Sequence, residues 1–238
     1  MNKIYIYGYG SLINFSSIEK TLLSIQNEDD INFIKNNLSD SPIKDEAIKY
    51  EKKIQIVRVK NIQRGWFIHA GNIKNKITKP YTVLGAYQKE DTISNGTLFP
   101  VTKDELEKLD SREGGYIRKE INKKDILIIK GSGIEKDAKV YYYSIDEKEI
   151  KEPNKKNPII QSYVDICLSG CIMIDSLLEN KNYEFTKEFL VTTRKWKKYK
   201  YFINDRIYPR TPTTNIPKAD IIDNLLHTEI ISYKRYFS

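Results

Sequence analysis

One carboxylate and one glycine-rich turn are the residues of this chain whose types and positions could do chemistry. Glu113 falls at the expected end of a short helix, directly before Gly114-Gly115-Tyr116. Unpaired carbonyls give a helix C-terminus negative partial charge, so a carboxyl placed there holds its proton more tightly. A carboxyl tuned in that direction suits general acid–base work near neutral pH. The plainer reading is a surface glutamate paired with Arg112 or Arg118. The turn is Tyr7-Gly8-Tyr9-Gly10-Ser11-Leu12, reached directly from the extended run Ile4-Tyr5-Ile6-Tyr7. Glycines there let the backbone bend and let another group come close, and successive N–H groups can converge on an anion. A hairpin or bulge without a ligand would look the same.

Other chemistries lack their residues. Ser11 and Ser111 have no histidine at a nucleophile–base spacing, since His69 and His227 are the only two. The turn lacks the Lys-Ser/Thr of a phosphate-binding loop and the third glycine of a dinucleotide fingerprint. Cys167 and Cys171, four apart, would share a helix face as small buried side chains rather than form a disulfide or a four-ligand zinc site. The expectation is no metal, no cofactor, and a reducing cytoplasmic compartment.

The elements that must position these residues follow from pattern. With 238 residues, 39% of them hydrophobic, the chain can build a sizeable core. No apolar run approaches the roughly 18 residues of a membrane span, and no secretion signal precedes the first strand. Ser16–Leu23 reads as a short helix capped by a serine, and Asn27–Lys53 as a polar surface insertion. Ile54–Val59, Gly65–Ala70 and Tyr81–Tyr87 read as strands, and Asn95-Gly96 as a turn. Thr102 with Glu105 forms a capping box opening a helix that ends near Gly114-Gly115. Strands follow at Tyr116–Ile121, Asp125–Ile129 and Lys139–Ser144. Beyond a linker at Glu152–Pro158 the pattern turns helical over Ile159–Leu178, Phe185–Trp196 and Asp220–Ile230. This predicts a β-rich part, 1–148, with 27–53 as its insertion, and a helical extension, 149–238.

The formal charge is +8, and Thr186–Ser238 alone carries 11 Lys/Arg against 5 Asp/Glu. Lys195-Trp196-Lys197-Lys198-Tyr199-Lys200-Tyr201 interleaves cations with aromatics as a base-stacking surface would. Lysine is abundant along the whole chain, however, so composition explains the excess without a nucleic acid.

The turn Tyr7–Leu12, Gly85 in a central strand, and Leu109-Asp110-Ser111-Arg112-Glu113-Gly114-Gly115-Tyr116-Ile117-Arg118 about a hundred residues on resemble, jointly and in this order, the γ-glutamylcyclotransferase-like family, which includes AIG2-like proteins. The resemblance covers about residues 3 to 145. It implies an α+β fold: a small mixed β-barrel with flanking helices, here with a helical C-terminal extension. It also implies Glu113 as the catalytic base, and Tyr7, Gly8, Tyr9, Gly10, Ser11, Leu12 and Tyr116 around a γ-glutamyl group. The product would be 5-oxoproline, formed without a cofactor because both reacting groups belong to one substrate. The Arg112-Glu113 segment is similar to the glutathione-degrading branch, but the stretch after Trp66 departs from it. That leaves γ-glutamyl amino acids and amines open as substrates. Arg206 or Arg210 could hold a substrate carboxylate, although structural roles fit them too. The competing reading is a binding module of the same fold whose basic extension holds RNA or another polyanion. Neither reading fixes the oligomeric state.

Overall fold

The computed structural model describes residues 3–22, 53–71, 79–178, 183–196, 201–207 and 219–230. The strands are β1 (Ile4–Gly8), β2 (Gln55–Ala70), β3 (Tyr81–Val101), β4 (Ile117–Glu120), β5 (Ile126–Lys130), β6 (Lys139–Ser144), β7 (Ile159–Ile160) and β8 (Phe202–Ile203). The helices are α1 (Phe15–Leu22), α2 (Lys103–Arg112), α3 (Gln161–Leu177), α4 (Phe185–Thr192) and α5 (Ala219–Glu229). The class is the expected α+β, with one mixed sheet. Its order is β4-β6-β1-β3-β2-β5, with β7 added to β3 and β8 to β7. The β1–β6 pair is parallel and β1–β3 antiparallel.

β1 sits inside the sheet and is buried on both faces, which is why its sequence runs apolar without alternation. Tyr5 and Tyr7 enter one cluster with Trp66 and Leu98, and Ile6 enters another with Phe99, Leu106 and Leu109. The first cluster also takes in Val164, Cys167, Leu168, Phe185, Phe189, Ile222 and Leu226. The helices after residue 149 therefore share the core of the β-rich part, and β7 and β8 join its sheet. Among the described residues no helix is long and apolar enough to cross a membrane.

Several local expectations are corrected. The stretches 54–59 and 65–70 form one strand, β2, broken only by register shifts at Lys60/Ile62 and Trp66/Ile68. Asn95-Gly96 is not a turn but lies inside β3. A Cβ on Gly96 would lie 2.3 Å from the Gly8 carbonyl oxygen, so glycine is needed for close strand approach. Asn95 is fully buried, and its Nδ2 donates to Phe185 O at 2.8 Å. Polar turn chemistry in sequence is here core hydrogen bonding. α1 is capped by Asn14 rather than a serine, with Asn14 Oδ1 accepting from Ser17 N–H at 3.3 Å. α2 starts with the expected box, Glu105 N–H donating to Thr102 Oγ1 at 3.2 Å and Thr102 N–H to Glu105 Oε2 at 2.6 Å. It ends at Arg112 with Glu113 as cap. Gly114 and Gly115 are not among the positive-φ residues, so no left-handed glycine terminates it. Most of Asn27–Lys53, the Lys197–Lys200 part of the basic-aromatic stretch, and Arg210 lie outside the described residues.

Candidate active site

At the end of β1 the chain passes through Tyr9 and Gly10 into a 3₁₀ turn, Ser11–Ile13. Ile13 N–H donates to Gly10 O at 2.9 Å and Asn14 N–H to Ser11 O at 3.1 Å. The turn's own hydrogen bonds thus leave the amides of Gly10, Ser11 and Leu12 unused. Gly8 has no side chain because the chain itself fills that place: a Cβ there would lie 2.4 Å from Leu12 O. Three outside groups hold the bend. Asn14 Nδ2 donates to Ile166 O on α3 at 3.0 Å, and the Tyr9 hydroxyl donates to Tyr143 O on β6 at 2.6 Å. Arg64 Nη1 donates to Tyr9 O at 3.3 Å.

Arg64 is a fully buried cation on β2 that pairs with no carboxylate in the described residues. It is held by Asn95 O at 2.6 Å and Thr192 Oγ1 at 2.8 Å, and by Phe189 O at 3.1 Å. These last two lie in the final turns of α4, the negative end of that helix dipole.

The C-terminal end of α2 faces this bend. Glu113 lines a crevice with Tyr9, Gly10, Ser11 and Leu12, closed further by Leu84, Tyr116, Tyr143 and Tyr163. Its side chain is 15% exposed, and Oε1 lies 3.2 Å from Arg112 Nε. Burial raises the proton affinity of the carboxyl, and the Arg112 charge opposes that rise. Arg112 also donates from Nη2 to Ser11 Oγ at 3.1 Å and Ser17 Oγ at 3.2 Å, so it clamps the end of α2 to the turn and to α1. Pairing with Arg112 and residence in the crevice therefore coexist. Arg118 pairs with Asp110 instead.

The tyrosines are positioned one by one. The Tyr116 hydroxyl donates to Leu84 O at 2.9 Å and the Tyr143 hydroxyl to Asp110 Oδ1 at 2.9 Å. The Tyr163 hydroxyl lies over Gly10, 3.4 Å from where a Cβ would stand. Burial raises the proton affinity of Tyr9, Tyr116, Tyr143 and Tyr163, so all four keep their O–H at neutral pH. The crevice has about 20 Å³ of free space, room for one water.

Of the residues singled out in sequence, Tyr9, Gly10, Ser11, Leu12, Glu113 and Tyr116 come together. Tyr7 and Gly8 do not line the crevice. Tyr7 points into the core, its hydroxyl 2.9 Å from Ser94 Oγ, and Gly8 supports the bend from behind. Arg206 is taken up by Asp165 at 2.8 Å and Asp223 at 2.8 Å. Tyr143, Tyr163 and Leu84 escaped the sequence reading. A strand tyrosine among three in a row, and a helix residue 50 positions after Glu113, carry no local signal for a site.

Chemically, the crevice offers one carboxyl that can take up and return a proton, across from a bend whose amides the turn's own hydrogen bonds leave unused, while the Tyr9, Tyr116 and Tyr143 hydroxyls spend their protons on Tyr143 O, Leu84 O and Asp110. The Ser11 hydroxyl at its edge accepts from Arg112, and both cysteines are buried in the core. Among the described residues, no group of three or more His, Cys, Asp and Glu could hold a metal ion.

No protein-family model matches the chain, and no curated protein matches it. Solved structures similar to it include one titled gamma-glutamyl cyclotransferase, 12% identical, covering 95% of this chain and 99% of that one at a TM-score of 0.45. An uncharacterized protein from Homo sapiens is 12% identical over 79% of this chain and 87% of its own, with a TM-score of 0.45. A yeast γ-glutamyl cyclotransferase specific to glutathione is 12% identical over 81% and 96%, with a TM-score of 0.40. At these identities and scores the likeness carries no chemistry, which rests on the crevice alone.

Proposed function

We propose that the chain cyclises the γ-glutamyl group of a small γ-glutamyl amino acid, amine or peptide to 5-oxoproline, with Glu113 as general acid–base. The observation that carries this reading is that Glu113 lines one crevice with Gly10, Ser11 and Leu12, whose amides the turn's own hydrogen bonds leave unused. The Glu113 carboxylate takes a proton from the substrate's α-amino nitrogen, which attacks the side-chain γ-carbonyl carbon. A C–N bond forms and the lactam ring closes. Negative charge gathers on the γ-oxygen, where backbone N–H donors of the bend stabilise it. The tetrahedral centre collapses, the original amide C–N bond breaks, and Glu113 returns the proton to the departing amine. Tethering of both reacting groups supplies the proximity. A γ-glutamyl group is larger than one water, so the crevice widens to admit it.

The test is a panel of γ-glutamyl dipeptides, γ-glutamyl-lysine and glutathione, with 5-oxoproline followed by mass. Release by the wild-type chain and its loss in a folded Glu113→Gln variant are expected. Equal release by the variant, or no release from any member of the panel, overturns the proposal.

A further inference from the structure

The crevice at Glu113 is not the largest cleft of the molecule. A second one, of about 760 Å³, opens between the sheet and the C-terminal helices. Its volume lies in the range of small-ligand sites. Phe67, Tyr87, Leu190 and Trp196 form its apolar wall, and all four are buried by the rest of the fold. Val191, at the same cleft, is 69% exposed, a large apolar side chain that nothing in the described fold covers. The Phe67 and Tyr87 rings are 5.6 Å apart, and Trp196 stands edge-on to buried Trp66 at 5.0 Å. The wall is therefore held by ring-to-ring contacts.

Among the described residues, the charged ones at the cleft are Lys89, Arg194 and Lys195 against the one acid Glu229. The Lys89 ammonium has no partner among the described residues, and its backbone carbonyl accepts from Thr92 Oγ1 at 2.7 Å. Arg194 is held through Nε by Gln63 Oε1 at 3.1 Å, and its backbone carbonyl accepts from Trp66 N–H at 3.1 Å. Lys195 pairs with Glu152 and has a φ of +74°, a conformation costly for a side-chain-bearing residue.

We infer that this cleft binds a small amphipathic anion, its apolar body against Trp196, Leu190 and Val191 and its acidic group met by Lys89 and Arg194. Apolar walls with a few convergent cations are the composition such a ligand requires. The site is independent of the chemistry at Glu113.

Trp66 and Trp196 are the only two tryptophans of the chain, and Trp196 lines this cleft, so energy transfer detects the bound probe and the variants at Lys89 and Val191 locate it. Full-length protein is titrated with 1-anilinonaphthalene-8-sulfonate, and energy transfer from tryptophan is followed. Its uncharged counterpart, N-phenyl-1-naphthylamine, serves as control. Saturable binding of one sulfonate per chain is expected. Lys89→Glu, at an exposed position, should weaken the sulfonate roughly tenfold, since attraction becomes repulsion, and leave the neutral probe unchanged. Val191→Asp should weaken both probes. Competition by 1-naphthoate but not by decanoate assigns an aromatic acid, and the reverse an acyl chain. The inference is overturned by absence of saturable transfer, by an unchanged sulfonate affinity in Lys89→Glu at an unchanged melting temperature, or by displacement with neither acid.

Discussion

Gly8→Ala tests whether the bend that faces Glu113 is fixed by contact with its own chain. The new methyl would stand 2.4 Å from Leu12 O and 2.8 Å from Leu12 C, against an ordinary contact of 3.4 Å or more. Both atoms are backbone, so the 3₁₀ turn has to withdraw by about 1 Å. Leu12 O also accepts from Thr97 Oγ1 at 3.3 Å, already near the limit, and that bond is lost in the withdrawal. Overpacking of this kind costs about 1–3 kcal/mol and the hydrogen bond about 1 kcal/mol more. For a chain of this length the melting temperature then falls by roughly 5–15 °C. The unused amides move by the same 1 Å relative to Glu113, a misplacement that costs about a hundredfold in rate. Melting curves and 5-oxoproline release from the folded variant measure the two effects separately. Gly115→Ala is the control, because nothing lies within 4 Å of its Cβ position, and it should melt at the wild-type temperature. A Gly8→Ala protein that melts within 2 °C of wild type, or a destabilised one with undiminished turnover, refutes the reasoning.

Glu113→Gln should lower 5-oxoproline release about 10²–10⁴-fold, the usual loss for a missing general base. The same variant should be more stable than wild type at neutral pH. Burial holds the proton on Glu113 to higher pH in the folded chain than in the unfolded one. The folded state therefore binds more protons between those two values, and wild-type stability drops as pH rises through that window. Melting curves taken below the ordinary carboxylate range should show the difference disappear, and a gain that persists there contradicts the burial argument. Arg206→Ala leaves Asp165, 1% exposed, without its two 2.8 Å contacts, and urea unfolding should record a loss of about 3–5 kcal/mol that Arg206→Lys does not restore. Burial pushes the Cys167 thiol up to about 12 and the Cys171 thiol up as well, so a disulfide-exchange reagent should leave the native chain unlabelled and label two thiols in denaturant.

Sequence patterns were readable where a local rule governed the outcome. The capping box at Thr102 depends on two residues three apart and no others, and it forms as expected. β1 was readable because its apolar run reflects burial on both faces. Asn95-Gly96 failed for the opposite reason. The dipeptide has a strong turn preference, but the missing Cβ of Gly96 is required by Gly8, 88 residues earlier, and Asn95 is required by Arg64 and Phe185. Only packing across the sheet carries that information. Glu113 could be picked out by its place beside a helix end. The tyrosines from β6 and α3 could not, since their part in the crevice depends on how distant segments meet.

That dependence changes how the C-terminal helices should be regarded. Read along the chain they look like an addition, beginning after a proline-bearing linker and more basic than what precedes them. In space α3 sets one wall of the crevice through Tyr163 and holds the glycine bend through Ile166 O. α4 supplies two of the oxygens around Arg64, whose guanidinium reaches the Tyr9 carbonyl. A buried cation without a carboxylate partner is tolerable only while all those oxygens remain in place, because each unmet N–H would carry its own desolvation cost. Loosening α4 therefore does more than expose apolar surface. It leaves Arg64 unsatisfied directly beneath the bend, so the crevice and the helices that form its far side are lost together.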